Sequence, residues 1–75
     1  MNLLQLESER EARIADVLGG WAVRRRLAQM GFHIGDTVRV RQRGAFGGPV
    51  LVEIHGSVFA LGRGVAAKII VEMQS

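Results

Sequence analysis

Glycine punctuates this chain, and its spacing limits what the chain can become. Ten of the 75 residues are glycine, and Gly19-Gly20, Gly31 with Gly35, Gly44 with Gly47-Gly48, Gly56, and Gly62 with Gly64 mark five breaks. Short segments separated by regular turn signals point to a small β-barrel or sandwich and away from a helix bundle. There is no internal repeat, no low-complexity tract and no linker, so residues 1–75 read as one domain. A core of that size supplies about 3–5 kcal/mol of net stability. The chain has no cysteine, which removes disulfides, thiolate metal sites and thiol chemistry. Hydrophobic residues at 48% and charged residues at 23% are an ordinary globular balance.

Between the glycines the side chains carry clear periods. Gly20 to Met30 reads as a helix with Val23, Leu27 and Met30 on one stripe and Gly31 at the left-handed cap. Asp36 to Arg43 alternates, with Thr37, Arg39, Arg41 and Arg43 on a wet face and Val38 and Val40 on a dry one. Pro49 to His55 follows as a second strand, with Val50, Val52 and Ile54 on its dry face. Residues 44–48 then form a hairpin loop, Arg43 pairs with Pro49, and Arg39 faces Glu53 as a cross-strand ion pair. Gly56-Ser57 reads as a type II′ turn that sets His55 opposite Val58, Ile54 opposite Phe59 and Val52 opposite Leu61. One helical turn is expected at Val65 to Lys68, before a final strand over Ile69 to Met73. The first eighteen residues stay open. They fit an amphipathic helix, or a short strand near Leu3–Leu6, a turn, and a strand over Ala12–Val17. The sum is mainly β: a small SH3-like barrel of five strands with one short helix after the first.

Little chemistry is available on such a frame. The hydroxyls are Ser8, Ser57, Ser75 and Thr37, and the bases are His33 and His55. Ser57 and His55 flank one tight turn and point apart, so no catalytic set is expected and the chain reads as a non-enzyme. A structural zinc site wants four ligands. His33 with Asp36 and His55 with Glu53 make only a weak, oxygen-rich site for a divalent transition metal, and solvated loop histidines are the plainer reading. No cofactor is required. The glycines form no phosphate loop, since no G-x-x-x-x-G-K-[ST] run exists.

Charge and hydropathy limit the partners. Nine of the ten basic residues are arginine and the net charge is +3. Arg24-Arg25-Arg26 and the arginines of 39–43 would suit an acidic partner, while RNA binding wants more exposed aromatics than this chain has. No nucleic-acid partner is expected. No stretch without a Lys, Arg, Asp or Glu is longer than those from Gly44 to Val52 and from Ile54 to Gly62, far short of a spanning helix, so no membrane insertion is expected. The N-terminus lacks the basic and apolar regions of a signal peptide. Two aromatics stand out as contact residues: Trp21, off the helix stripe, and Phe46, in a loop beside Gly47.

One run of residues has a family look. Gly19-Gly20-Trp21-Ala22-Val23-Arg24-Arg25-Arg26-Leu27-Ala28-Gln29-Met30-Gly31-Phe32-His33-Ile34-Gly35 resembles the signature of the ferrous iron transport protein A (FeoA) family. Gly47-Gly48-Pro49-Val50 resembles that family's hairpin, and Gly56 to Ile69, with Phe59-Ala60-Leu61-Gly62-Arg63 and Ala66, its closing strand, helical turn and strand. Ser8-Glu9 stands where the family often has Pro-Gly, Ile34 where it has proline, and Phe32 where it has leucine. The resemblance implies an SH3-like barrel, with the N-terminal segment as strand rather than helix. It also implies a cytoplasmic accessory protein of bacterial ferrous iron uptake, docking on the cytosolic GTP-binding part of the permease FeoB. The expected contacts are Trp21, Arg24, Arg25, Phe46 and Gly47, with weak homo-oligomerisation permitted. The rival readings are a weak metal-binding or sensing module built on His33 and His55, and an RNA-binding SH3-like domain.

Overall fold

A computed structural model describes residues 1–44 and 47–74. A 3-10 turn at Leu3–Gln5 leads to β1 (Glu11–Val17), α1 (Trp21–Gln29), β2 (Thr37–Arg43), β3 (Val50–Ile54), β4 (Ser57–Leu61), α2 (Arg63–Ala66) and β5 (Ile69–Met73). The strands form one antiparallel sheet in the order β4-β3-β2-β1-β5. Alternation along each strand sends one face inward. Ala12, Ile14, Val38, Val40, Val50, Val52, Ile54, Ile69 and Val71 meet there with Leu27 of α1, Ala66 of α2, and Leu3 and Leu6. The sheet therefore curls around a single apolar centre, the SH3-like arrangement, and closes without a β4–β5 pairing.

The helix ends as its sequence requires. Gly31 takes φ +96°, its N–H donates to the Ala28 carbonyl (3.0 Å), and the Phe32 N–H reaches back to Leu27 (2.9 Å). This double closure is a Schellman cap, and it folds Phe32 into the core. There Phe32 meets Phe59 edge to face at 5.5 Å.

Four local expectations are corrected. The segment near Leu3–Leu6 is a 3-10 turn, not a strand. The Asn2 side chain accepts from the Leu4 N–H while the Gln5 side chain accepts from the Asn2 N–H, and this pair of local bonds competes with extended backbone. The β2–β3 register holds at Arg39 opposite Glu53 and Val40 opposite Val52, then shifts at a bulge, so that Arg43 lies opposite Val50 rather than Pro49. The extra residue turns Arg43 away from the wet face, and its guanidinium donates to the Leu6 carbonyl. The turn after β3 is His55-Gly56, both with positive φ (50° and 80°), so it is type I′ and Ile54 pairs with Ser57. Val52 then faces Phe59 and Val50 faces Leu61. The helical turn α2 begins two residues earlier than expected, at Arg63.

Ion pairing also differs. Arg39 pairs with Glu11 on β1, while Glu53 accepts from Arg41 (2.7 Å), which also meets Glu9 (3.2 Å). β1 lies on the other side of β2 from β3, and the bulge at Arg41 brings that residue's guanidinium, rather than Arg39's, to Glu53.

Candidate partner-binding surface

α1 opens at Gly20, which offers no side-chain cap, so Trp21 begins the helix at the surface. The stripe Val23–Leu27–Met30 faces inward, which forces Trp21, Arg24 and Arg25 onto the outer faces. Trp21 is 72% exposed and does not act as a lid on the core. One turn on, the Arg25 guanidinium lies 5.0 Å from the indole centroid. This cation–π contact is worth about 0.5–1 kcal/mol at an exposed site and keeps the guanidinium beside the ring.

An open groove of about 590 Å³ runs between this helix face and the segment that follows the cap. Trp21, Arg24, Arg25 and Ala28 form one side and Phe32, His33 and Ile34 the other. Ile34 is 58% exposed, a branched apolar side chain in water. No carboxylate lines the groove, and neither Arg24 nor Arg25 makes an ion pair among the described residues. The surface thus combines an aromatic plate, an aliphatic wall and unneutralised positive charge.

Behind the His33 wall lies an arrangement that the sequence did not disclose. Asp36 accepts the His33 backbone N–H (2.9 Å) and sits 3.5 Å from His33 Nδ1 and 3.3 Å from His55 Nε2. Glu53, expected beside His55, is held by Arg41 instead. Partial burial pushes the Asp36 carboxyl up. The His33 backbone bond, the His55 ring bond and the two imidazoles outweigh that, leaving it below its ordinary value. The contact ties the segment after α1 to the tip of the β3–β4 hairpin. Among the described residues, no group of three or more His, Cys, Asp or Glu side chains is arranged to hold a metal ion.

The structure brings together Trp21, Arg24, Arg25 and His33, and it adds Ile34, which sequence reasoning had noted only as a replaced proline. Its signal was available: an isoleucine between a capped helix and a glycine turn has no strand or helix face to bury it. Gly47 lies elsewhere, exposed and beside Arg63, and Phe46 lies outside the described residues. No helix among the described residues is long and apolar enough to cross a membrane.

Residues 1–73 match the FeoA domain. The chain belongs to the FeoA family. It is 37% identical over 62 residues to a Methanocaldococcus jannaschii protein assigned as Fe(2+) transport protein A, covering 83% of this chain and 73% of that one. The solution structure of FeoA from Chlorobium tepidum superposes with a TM-score of 0.90 at 29% identity, over 100% of this chain and 71% of the other. FeoA from Stenotrophomonas maltophilia, a prokaryotic SH3 domain protein crystallised with zinc, gives a TM-score of 0.82 at 32% identity, over 96% and 89% of the two chains. Ferrous iron transport is the common setting of this FeoA family, and the SH3-like fold is common to its structures.

Proposed function

We propose that this FeoA-family chain is a cytoplasmic accessory module of ferrous iron uptake that performs no reaction itself. It docks on the cytosolic GTP-binding part of the membrane iron permease FeoB. The observation that carries this reading is Trp21, exposed at 72% under the Arg25 guanidinium on the rim of an apolar groove. Leaving an indole in water is unfavourable, and aromatic and arginine side chains dominate the binding energy of protein interfaces. Arg24 and Arg25, with no carboxylate to neutralise them, would steer the module to an acidic surface. The other large basic stripe is already engaged: Arg39 and Arg41 pair with glutamates, and Arg43 donates to a backbone carbonyl. That leaves the α1 face as the better docking surface and weakens the nucleic-acid alternative.

The test is calorimetric titration of the permease's cytosolic domain with the native chain and with Trp21→Ala, Arg25→Glu and Phe46→Ala. Trp21→Ala and Arg25→Glu are each expected to weaken binding by about 2 kcal/mol, close to thirtyfold. Native affinity in both variants would overturn the assignment.

A further inference from the structure

We propose that β4 accepts an extended, acidic segment of a partner protein as an additional strand, with the segment's apolar side chains seated between β4 and α1. The proposal shares with the permease-docking reading only the need for a protein partner.

The argument begins with backbone groups. A two-residue turn makes Ile54 and Ser57 a hydrogen-bonded pair, and the alternation of an antiparallel ladder then assigns Ser57, Phe59 and Leu61 to β3. The N–H and C=O groups of Val58 and Ala60 point the other way, off the edge of the sheet. Among the described residues nothing bonds to them. Edge strands are commonly protected by charge, proline or a bulge. Ser57-Val58-Phe59-Ala60-Leu61 has none of these, and Val58 is 54% exposed. The edge is therefore a ready template for strand addition, in which main-chain bonds give affinity and side-chain pockets give specificity.

A pocket lies in the right place. A groove of about 140 Å³ runs beside the end of β4, lined by Val23 and Leu27 of α1, Met30 at its C-cap, Ala60 and Leu61 of β4, and Val65 of α2. Phe59 and Leu61 point to that same side of the sheet. Alternate residues of an added strand would fall beside them, so every second residue of the occupant should be apolar.

Charge decides the rest of the occupant's chemistry. Arg26 lines the groove and Arg63 opens α2 just beyond β4. Neither makes an ion pair among the described residues. The nearest acid on the strand-pairing side, Glu53 opposite Val58, is occupied by Arg41. A second copy of this chain would bring the same arginines together across a two-fold axis, on a molecule of net charge +3, so it fits less well than a segment carrying carboxylates.

The experiment uses the whole chain, isotope-labelled for NMR, and a capped peptide alternating valine and threonine and ending in two aspartates. Three further arms are the same peptide N-methylated on the amides that would face β4, a version with lysines for the aspartates, and the chain variant Ala60→Pro. Proline removes an N–H that bonds nothing in the chain, and an edge strand tolerates that; the variant's spectrum reports whether it is folded. The acidic peptide is expected to slow amide exchange at Val58 and Ala60 by at least about tenfold. Ala60→Pro should weaken its binding by about tenfold, with N-methylation and lysine replacement also weakening it. The N-methylated arm needs no variant, so misfolding of Ala60→Pro would not protect the proposal. Equal affinity for the methylated peptide, unchanged exchange at both amides, or no binding of the acidic peptide would overturn it. If the permease domain binds with Trp21-dependent affinity while Ala60→Pro has no effect on that binding and the peptide slows neither amide, strand addition fails and the docking reading stands. Peptide-induced slowing with no binding of the permease domain would instead support strand addition and remove the docking reading.

Discussion

At the β5 edge, Met1 and Asn2 lie against the outer strand: the Val71 N–H donates to the Met1 carbonyl (2.7 Å) and Asn2 bridges Ile70. At the β4 edge, the corresponding groups of Val58 and Ala60 have no partner among the described residues. Both edges belong to one small sheet; β5 carries Ile69, Ile70 and Val71, and β4 carries Val58 and Phe59. One is closed by its own chain and held there by buried Leu3 and Leu6, while the other is left open beside a helix that carries unneutralised arginines. The contrast teaches that closure in this fold is local. It depends on two leucines placed before β1 rather than on pairing between the first and last strands of the sheet.

The strongest way to break this contrast is to release the closed edge. Leu3→Ala removes a wholly buried side chain that anchors the N-terminal strap. The expected loss is about 2–5 kcal/mol, comparable to the whole stability of a domain this size. Chemical denaturation should show a collapsed midpoint, and a native midpoint would mean that the strap does not support the core.

A smaller effect is expected at the tip of the open edge. Asp36 there joins His55 of the β3–β4 turn to the segment after α1. Its carboxyl is held below its ordinary value, so its contribution is present above the usual carboxylate range near pH 4 and is lost as pH falls through the lowered value. Asp36→Asn should therefore melt at a lower temperature than the native chain near neutrality. The two melting curves should converge as the solution is acidified, and a gap that stayed constant across that range would show that the carboxylate charge is not what holds the hairpin tip.

The smallest effect sharpens the comparison from the other side. Val58→Thr keeps the branched shape on an exposed position of the open strand. It should shift unfolding free energy by less than about 0.5 kcal/mol. A loss above about 1 kcal/mol would mean that Val58 is covered by something within the chain.

Much of this was legible from side-chain period. The Val38–Val40 alternation, the Val23–Leu27–Met30 stripe, the cap at Gly31 and the closing strand all appear where the pattern places them. The hairpin after β3 was misplaced by a register of two, yet Phe59 and Leu61 still face the core, because a two-residue slip preserves the faces of a strand. The bulge at Arg41 left no mark in composition, and it breaks the apparent arginine stripe by turning Arg43 over. A histidine in the left-handed conformation at His55 is not announced by neighbouring residues as Asn-Gly would be. The three-residue turn at Leu3–Gln5 is too short to show a period. Within the candidate surface, Trp21, Arg24 and Arg25 could be named because the helix stripe excludes them from the core. The convergence of His33 and His55 on Asp36 could not, since it depends on how two distant turns meet.

Residue-resolved amide hydrogen exchange tests the contrast between the edges most directly. In the chain alone, Val71 should be protected through its bond to Met1, while Val58 and Ala60 exchange close to the rate of free amides. Adding the acidic valine–threonine peptide to saturation should then slow Val58 and Ala60 and leave Val71 unchanged. Equal protection at all three sites in the isolated chain, or no change at Val58 and Ala60 in the saturated complex, would contradict the account.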